Sequence, residues 1–346
     1  MDGDIDWRAW RQFSSRVVVV IVLVALTLLL WRVANVLLLA FGSVVLAVLL
    51  RAGSVPLAKR TSLAEAWALA IVVIGAALIL SLLVWLMGEQ IRAQIAEFVA
   101  RVPVAWNQVQ DRLGIGGLRD WVSQAGTSLD PIGGVLSPVA AATTAVAGAL
   151  GNFVLVLIGG LYLAADPETY RRGLLKIVPG DTTRDRIDGT LQASGTALRL
   201  WVLGQLVSMT IVGVLTGLGL WLVGVPAPLA LGLLAFFATF IPYIGPVIAG
   251  VAATLVAAGQ DWQTAFLAFL VYLGVQIVES YVVTPMVQQR MVDLPPVLTL
   301  FAVIALGVVL GPLGLVLGAP LLVVLFVAVK KLWVRETLGE ATTLPA

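Results

Sequence analysis

The chain has 346 residues, 60% of them hydrophobic and 12% charged, with no cysteine, no histidine and a formal net charge of +2; its mean hydropathy is +1.04. Such a composition belongs to a polytopic membrane protein. It excludes disulfides and thiolate metal sites and removes the usual general base, imidazole ligand and near-neutral proton switch, so no enzyme, metal site or cofactor is expected.

Residues 1–16 carry Asp2, Asp4 and Asp6, then Arg8, Arg11 and Arg16 beside Trp7 and Trp10, a mixture suited to a cytoplasmic interface. Residues 17–87 hold three apolar runs. The first two, within Val17–Leu50 and divided by Trp31 and Arg32, are expected as a tight helical hairpin, and Leu63–Met87 as a full span. A cleavable signal peptide would also start with basic residues and a short apolar run, but no convincing cleavage site follows. Between these runs, Arg51, Lys59 and Arg60 return to the cytoplasmic side.

Residues 88–138 are the one large polar excursion. Ile91, Ile95, Phe98, Val102, Trp106, Val109 and Leu113 recur at helical spacing, so an extracytoplasmic amphipathic collar or lid is expected there. Residues 139–165 cross again. Residues 166–199, with Arg171, Arg172, Lys176, Arg184, Arg186 and Arg199, are placed in the cytoplasm as an amphipathic helical segment opened by Asp166, Pro167 and Glu168. Residues 200–329 form the expected transport core, in which Leu200–Val223 and Trp262–Val283 cross and Gly213 and Gly217 offer a packing notch. Residues 330–346 are a cytoplasmic tail. The basic residues sit at the ends of apolar runs rather than in a patch, so nucleic acid is not an expected partner.

Two segments of the core, 226–258 and 294–329, are apolar but interrupted. Leu229–Phe240 would make a helix of about 18 Å where a bilayer core needs about 30 Å. It stops at Ile241-Pro242-Tyr243-Ile244-Gly245-Pro246, where the prolines lack amide protons and glycine admits backbone angles closed to other residues. Val297–Leu310 breaks likewise at Gly311-Pro312-Leu313-Gly314. Main chain freed at membrane depth costs several kcal/mol per unsatisfied group unless protein, water or a solute satisfies it. Paired interruptions of this kind therefore point to a transporter's binding site. If both segments are kinked spans, the chain crosses eight times; if both are re-entrant hairpins, they accompany about six full spans. Both termini are cytoplasmic in either case, and only Arg290 changes side, which favours hairpins entering from opposite faces. The fold class expected is an all-α transmembrane helical bundle.

Glu279 alone among the acidic residues lies within an apolar segment away from its start, at a cost on the order of 2.5–3.5 kcal/mol if ionised. Tyr272, Gln276 and Glu279 share one helical face. They would bind a hydroxylated solute, or Glu279 would carry a coupled proton or cation; the competing reading puts Glu279 one turn from the helix end, reaching the interface. Gln205, Ser208, Thr239 and Tyr243 complete the expected site, with the main chain around Pro242, Gly245, Pro246, Gly311 and Pro312. Interhelical hydrogen bonding is the alternative role for Gln205 and Ser208. No intramembrane aspartate pair or lysine-activated serine is present to support proteolysis, and no phosphate-binding loop to support an ATPase.

The order of LYLAADPETYRRGLLKIVP at 161–179, LWVLGQL at 200–206, GLGLWLVGVP at 217–226, FIPYIGPVIAG at 240–250 and the run from Thr284 to Pro320 resembles the autoinducer-2 exporter (AI-2E) family of prokaryotic membrane transporters. The resemblance covers the second half of the chain. It implies an oligomeric transporter of the cytoplasmic (inner) membrane, with some related proteins acting as sodium or lithium/proton antiporters. Thr239 stands where the family often has an acidic residue or asparagine, which counts against a cation site at the first break. Three functions follow: export of a small polar solute, with autoinducer-2 the first candidate; monovalent cation/proton antiport through Glu279; or a non-transporting membrane scaffold. The expected partners are that solute or cation, the lipid bilayer and further copies of the chain.

Overall fold

The computed structural model describes residues 7–78, 81, 82, 85, 136–288 and 294–339. The collar expected before α3, Arg290 and the last residues of the tail lie outside them. Every element among the described residues is helical.

The first helix, α1, runs unbroken from Trp7 to Thr61, a rod of roughly 80 Å. The hairpin expected at Trp31 and Arg32 is therefore not formed. No glycine or proline occurs from Val17 to Phe41, so nothing interrupts the i→i−4 ladder; an arginine breaks hydropathy without breaking backbone. Ser62, at φ 55°, turns the chain into α2, Glu65–Leu78. Helix α3, Leu136–Ala165, packs on α1 where Gly159 and Gly160 let the backbones approach. A Cβ at Gly160 would lie 2.8 Å from the Leu46 side chain. Arg51 joins the ends of all three helices, donating to the Ala164 carbonyl at 3.1 Å and to Glu65 at 2.9 Å.

Asp166 caps the next helix, α4 (Pro167–Ile177), accepting from the Thr169 amide at 3.1 Å and from its hydroxyl at 2.5 Å; these bonds hold its carboxyl below the usual carboxylate range. The long helix α5, Asp181–Val223, has 43 residues, about 64 Å, or twice a bilayer core. Its charged first part therefore extends beyond the span. There Asp188 takes a bidentate pair from Arg171 of α4, at 2.5 and 2.8 Å, and that hydrogen bonding depresses its carboxyl. Arg184 donates back to the carbonyls of Leu175 and Val178, at 3.1 and 3.3 Å, closing the end of α4.

The two interrupted segments are helical hairpins. In the first, α6 (Pro228–Ala238) turns through residues 239–243 into α7 (Ile244–Ala258). Tyr243 holds φ +64°, and a Cβ on Gly245 would lie 1.7 Å from the Ala238 carbonyl oxygen, so the turn closes only on glycine. Buried Ala235 and Ala249 share one cluster and Leu231 and Val256 another, as facing positions of antiparallel arms do. The Gly213/Gly217 notch of α5 receives α6: a Cβ on Gly232 would lie 2.8 Å from the Gly213 carbonyl oxygen and 2.9 Å from Gly217 Cα.

Helix α8, Trp262–Val278, continues through a π-helical turn, Glu279–Val283, to Thr284–Gln288. Pro285 explains the wide turn, since its ring would strike the carbonyl one turn earlier in an ordinary α-helix. The second hairpin lies within α9, Pro296–Ala328, where Gly311 has non-helical angles, φ 69° and ψ −155°. Fifteen residues of straight helix separate their ends by about 22 Å. Yet a Cβ on Gly318 would lie 3.3 Å from Val303 Cα, and one on Gly314 would lie 2.1 Å from the Leu306 carbonyl oxygen. The chain reverses at Gly311.

Four stretches are long and apolar enough to cross a membrane: Arg32–Thr61, Asp181–Val223, Trp262–Met286 and Pro296–Arg335. Gly151–Ala165 and Pro167–Ile177 make a fifth if taken as one bent span. The fourth includes the reversal, and α1 supplies one span where two were expected. Leu220, Leu231, Val256 and Ala265 join the open end of the first hairpin to the C-terminal end of α5. The last turns of the second hairpin meet the N-terminal end of α5, where Arg186 faces Glu336 at 3.5 Å. Between them, Phe240 and Ile241 of one tip and Leu310 and Leu313 of the other pack on a single cluster that includes Leu198, Trp201 and Val323. The hairpins thus enter from opposite ends of α5 and meet midway.

Candidate functional site

Beside the hairpin tips lies a cavity of ≈ 940 Å³. Helix α5 contributes Trp201, Gly204, Gln205 and Ser208, one face at helical spacing. The first hairpin adds Thr239, Pro242, Tyr243 and Pro246 from its turn, then Gly250 and Thr254 further along α7. From α8 come Phe269, Tyr272, Gln276, Glu279, Ser280 and Thr284, and Leu294, Pro296 and Thr299 close the remaining side.

The Gln205 amide donates to the Thr239 main-chain carbonyl at 2.5 Å, so the helix holds the turn by one of the carbonyls that the break sets free. Both proposed roles of Gln205, lining and interhelical bonding, coincide in one side chain. Glu279 accepts from Gln276 Nε2 at 2.7 Å and from Thr284 Oγ1 at 3.3 Å. The helix continues through the π turn to Gln288, nine residues beyond Glu279. Glu279 stands in the cavity wall. The Tyr272 ring lies against Gly250, where a Cβ would come within 2.7 Å of it. Its hydroxyl is buried and has no hydrogen-bond partner among the described residues.

Of the residues singled out from the sequence, Gln205, Ser208, Thr239, Pro242, Tyr243, Pro246, Tyr272, Gln276 and Glu279 all line this cavity. Gly245 does not; it is buried within the turn that carries the others. Gly311 and Pro312 also fall outside the lining, at the tip of the second hairpin. Trp201, Gly204, Gly250, Thr254, Ser280, Thr284 and Thr299 were not anticipated. The first two and Thr254 extend faces already marked by Gln205 and Pro246, so helical periodicity could have found them. Among the described lining residues Glu279 is the one acidic or basic side chain, set in a wall of hydroxyls, amides and apolar side chains. Such a wall suits an uncharged hydroxylated solute or a cation, and it repels an anion.

An all-helical, multi-pass membrane bundle with two opposed hairpins and a largely apolar cavity that carries a few amides and hydroxyls is the class defined here. The sequence profile of the AI-2E family transporter matches residues 19–333, and the chain belongs to that family. It is 30% identical over 164 residues to YrrI of Bacillus subtilis strain 168, covering 47% of this chain and 46% of that one. It is 32% identical over 194 residues to MT0215 of Mycobacterium tuberculosis, 54% of this chain and 50% of that one. Both relatives carry provisional names as transport proteins. A third similarity, 27% identity over 222 residues, is to the AI-2 transport protein TqsA of Escherichia coli K12, covering 59% of this chain and 60% of that one. The chain spans about half the length of the curated relatives it matches.

Proposed function

We propose that the protein is a secondary transporter of the prokaryotic cytoplasmic membrane, both termini inside, that exports a small uncharged polar solute through the cavity between α5, α8 and the first hairpin. The observation that carries this reading is the cavity of ≈ 940 Å³ itself, whose largely apolar wall is set with Gln205, Ser208, Thr239, Gln276 and Glu279. Amides and hydroxyls set in an apolar wall fix the orientation of a polar cargo while the apolar surface covers the rest of it. The name of TqsA makes autoinducer-2 the first solute to test, with other furanosyl and polyol compounds beside it. The cavity also argues against a scaffold role, which would need its broken main chain packed wholly against protein.

A second reading, monovalent cation/proton antiport, is favoured by Glu279 as the one acidic or basic side chain among the described lining residues. Reconstituted liposomes separate the two. Labelled solute counterflow that survives dissipation of sodium and proton gradients, and that Glu279→Gln only weakens, supports solute export. Sodium- or lithium-driven proton movement that Glu279→Gln abolishes supports antiport. Neither activity with any solute tried, in protein shown to be folded, would count for the scaffold.

A further inference from the structure

Helix α4 presents a surface that solute passage does not use. Tyr170, Leu174 and Ile177, spaced four and then three residues apart, form one face and are 44%, 58% and 81% exposed. The opposite side carries Glu168, Arg172 and Lys176. The helix cannot roll to bury its apolar stripe on α5, because Arg171 is held by Asp188 and Arg184 holds the carbonyls of Leu175 and Val178.

Orientation identifies what covers the stripe. Gly151–Ala165 and α4 meet at 88° across the single residue Asp166. A helix at right angles to a crossing helix, starting where that helix ends, lies along the bilayer surface. Leu155, Ile158 and Tyr162 of α3 are exposed too, as apolar side chains of a crossing helix are where lipid meets them. A surface helix sinks its apolar face about 5–10 Å into the boundary between headgroups and acyl chains, which sets its opposite face among the phosphates. Two cations are available there. Arg172 donates only to the Glu168 carbonyl, at 3.3 Å, and Lys176 has no carboxylate partner among the described residues.

We propose that α4 is an interfacial anchor that sinks Tyr170, Leu174 and Ile177 into the bilayer and binds the phosphates of anionic lipids through Arg172 and Lys176. The partner is a membrane surface, and the Arg171–Asp188 pair passes its hold to α5.

The test uses the full chain, whose lack of cysteine lets single labels report alone. Nitroxides on Leu174→Cys, Ile177→Cys and Arg172→Cys are read in vesicles of phosphatidylcholine alone and of phosphatidylcholine mixed equally with phosphatidylglycerol. The expected result is that positions 174 and 177 relax with lipid-soluble oxygen while position 172 relaxes with a water-soluble nickel chelate. Adding Arg172→Gln and Lys176→Gln to the Ile177→Cys protein should raise nickel access at position 177 about fivefold per charge removed, in the phosphatidylglycerol vesicles only. An unchanged melting transition shows that these variants fold. Equal nickel access at all three positions would overturn the anchor. Shielding at position 177 that ignores phosphatidylglycerol would overturn the headgroup contact. Spin–spin broadening at 177 that disappears on dilution with unlabelled protein would show a second copy on the stripe and overturn the membrane as its partner.

Discussion

Gln205 Nε2 donates to the carbonyl of Thr239 at 2.5 Å, so a side chain of a crossing helix completes the hydrogen bonding of the hairpin turn beside the cavity. Gln205→Leu leaves that carbonyl without its donor, at an expected cost of about 1–3 kcal/mol. Thr239→Val should cost less, because the Thr239 hydroxyl only bonds back to the Ala235 carbonyl, which already accepts the Thr239 amide. Melting of both variants in detergent checks the order; equal losses would mean that the cross-helix bond is not what secures the turn.

Tyr272→Phe separates stability from binding. The phenol oxygen has no partner among the described residues, so its removal should leave the melting temperature unchanged or raise it. The half-saturating solute concentration should stay within about twofold of wild type, since the buried oxygen is closed off from the cavity. A variant that melts lower yet transports normally would show the hydroxyl to be structural.

Glycine substitutions should fall into two sets. Gly245→Ala and Gly314→Ala would place Cβ atoms 1.7 and 2.1 Å from the carbonyl oxygens of Ala238 and Leu306, so each should prevent its hairpin from closing and sharply reduce the yield of folded protein. A Cβ at Gly274 meets nothing within 4 Å, and Gly274→Ala should be neutral or stabilising by about 0.5–1 kcal/mol. Expression and size-exclusion profiles of the three proteins compare them directly.

Acid should loosen α4 from α5. The hydrogen bonds from Arg171 hold Asp188 below its usual value of 3.8, so the pair stabilises the folded protein above that value and the contribution fades as the pH falls through the lower folded value. The melting temperature of the wild type should therefore fall more steeply than that of Asp188→Asn on acidification below about pH 4. Parallel curves would assign no stability to the pair.

The hairpin positions were legible because Pro242, Gly245 and Pro246, and Gly311 and Pro312, fall together within a few residues, where their local effects on the backbone combine. The cavity faces of α5 and α8 were legible because Gln205 and Ser208, and Tyr272, Gln276 and Glu279, repeat at helical spacing amid apolar neighbours. Gly250 was hidden, since a glycine facing a cavity is indistinguishable in sequence from one facing lipid. Hydropathy misread Arg32 as a turn where the helix merely carries a charge. The path of α8 beyond Val283 was also missed, because a π turn carries the helix past Pro285.

Since α5 is one continuous helix, Asp188 and Gln205 sit on one lever arm of about 25 Å. Pivoting it by about 5° at its charged foot would sweep Gln205 through roughly 2 Å, enough to part it from Thr239. The latch on the turn can thus be thrown from the opposite end of one unbroken helix.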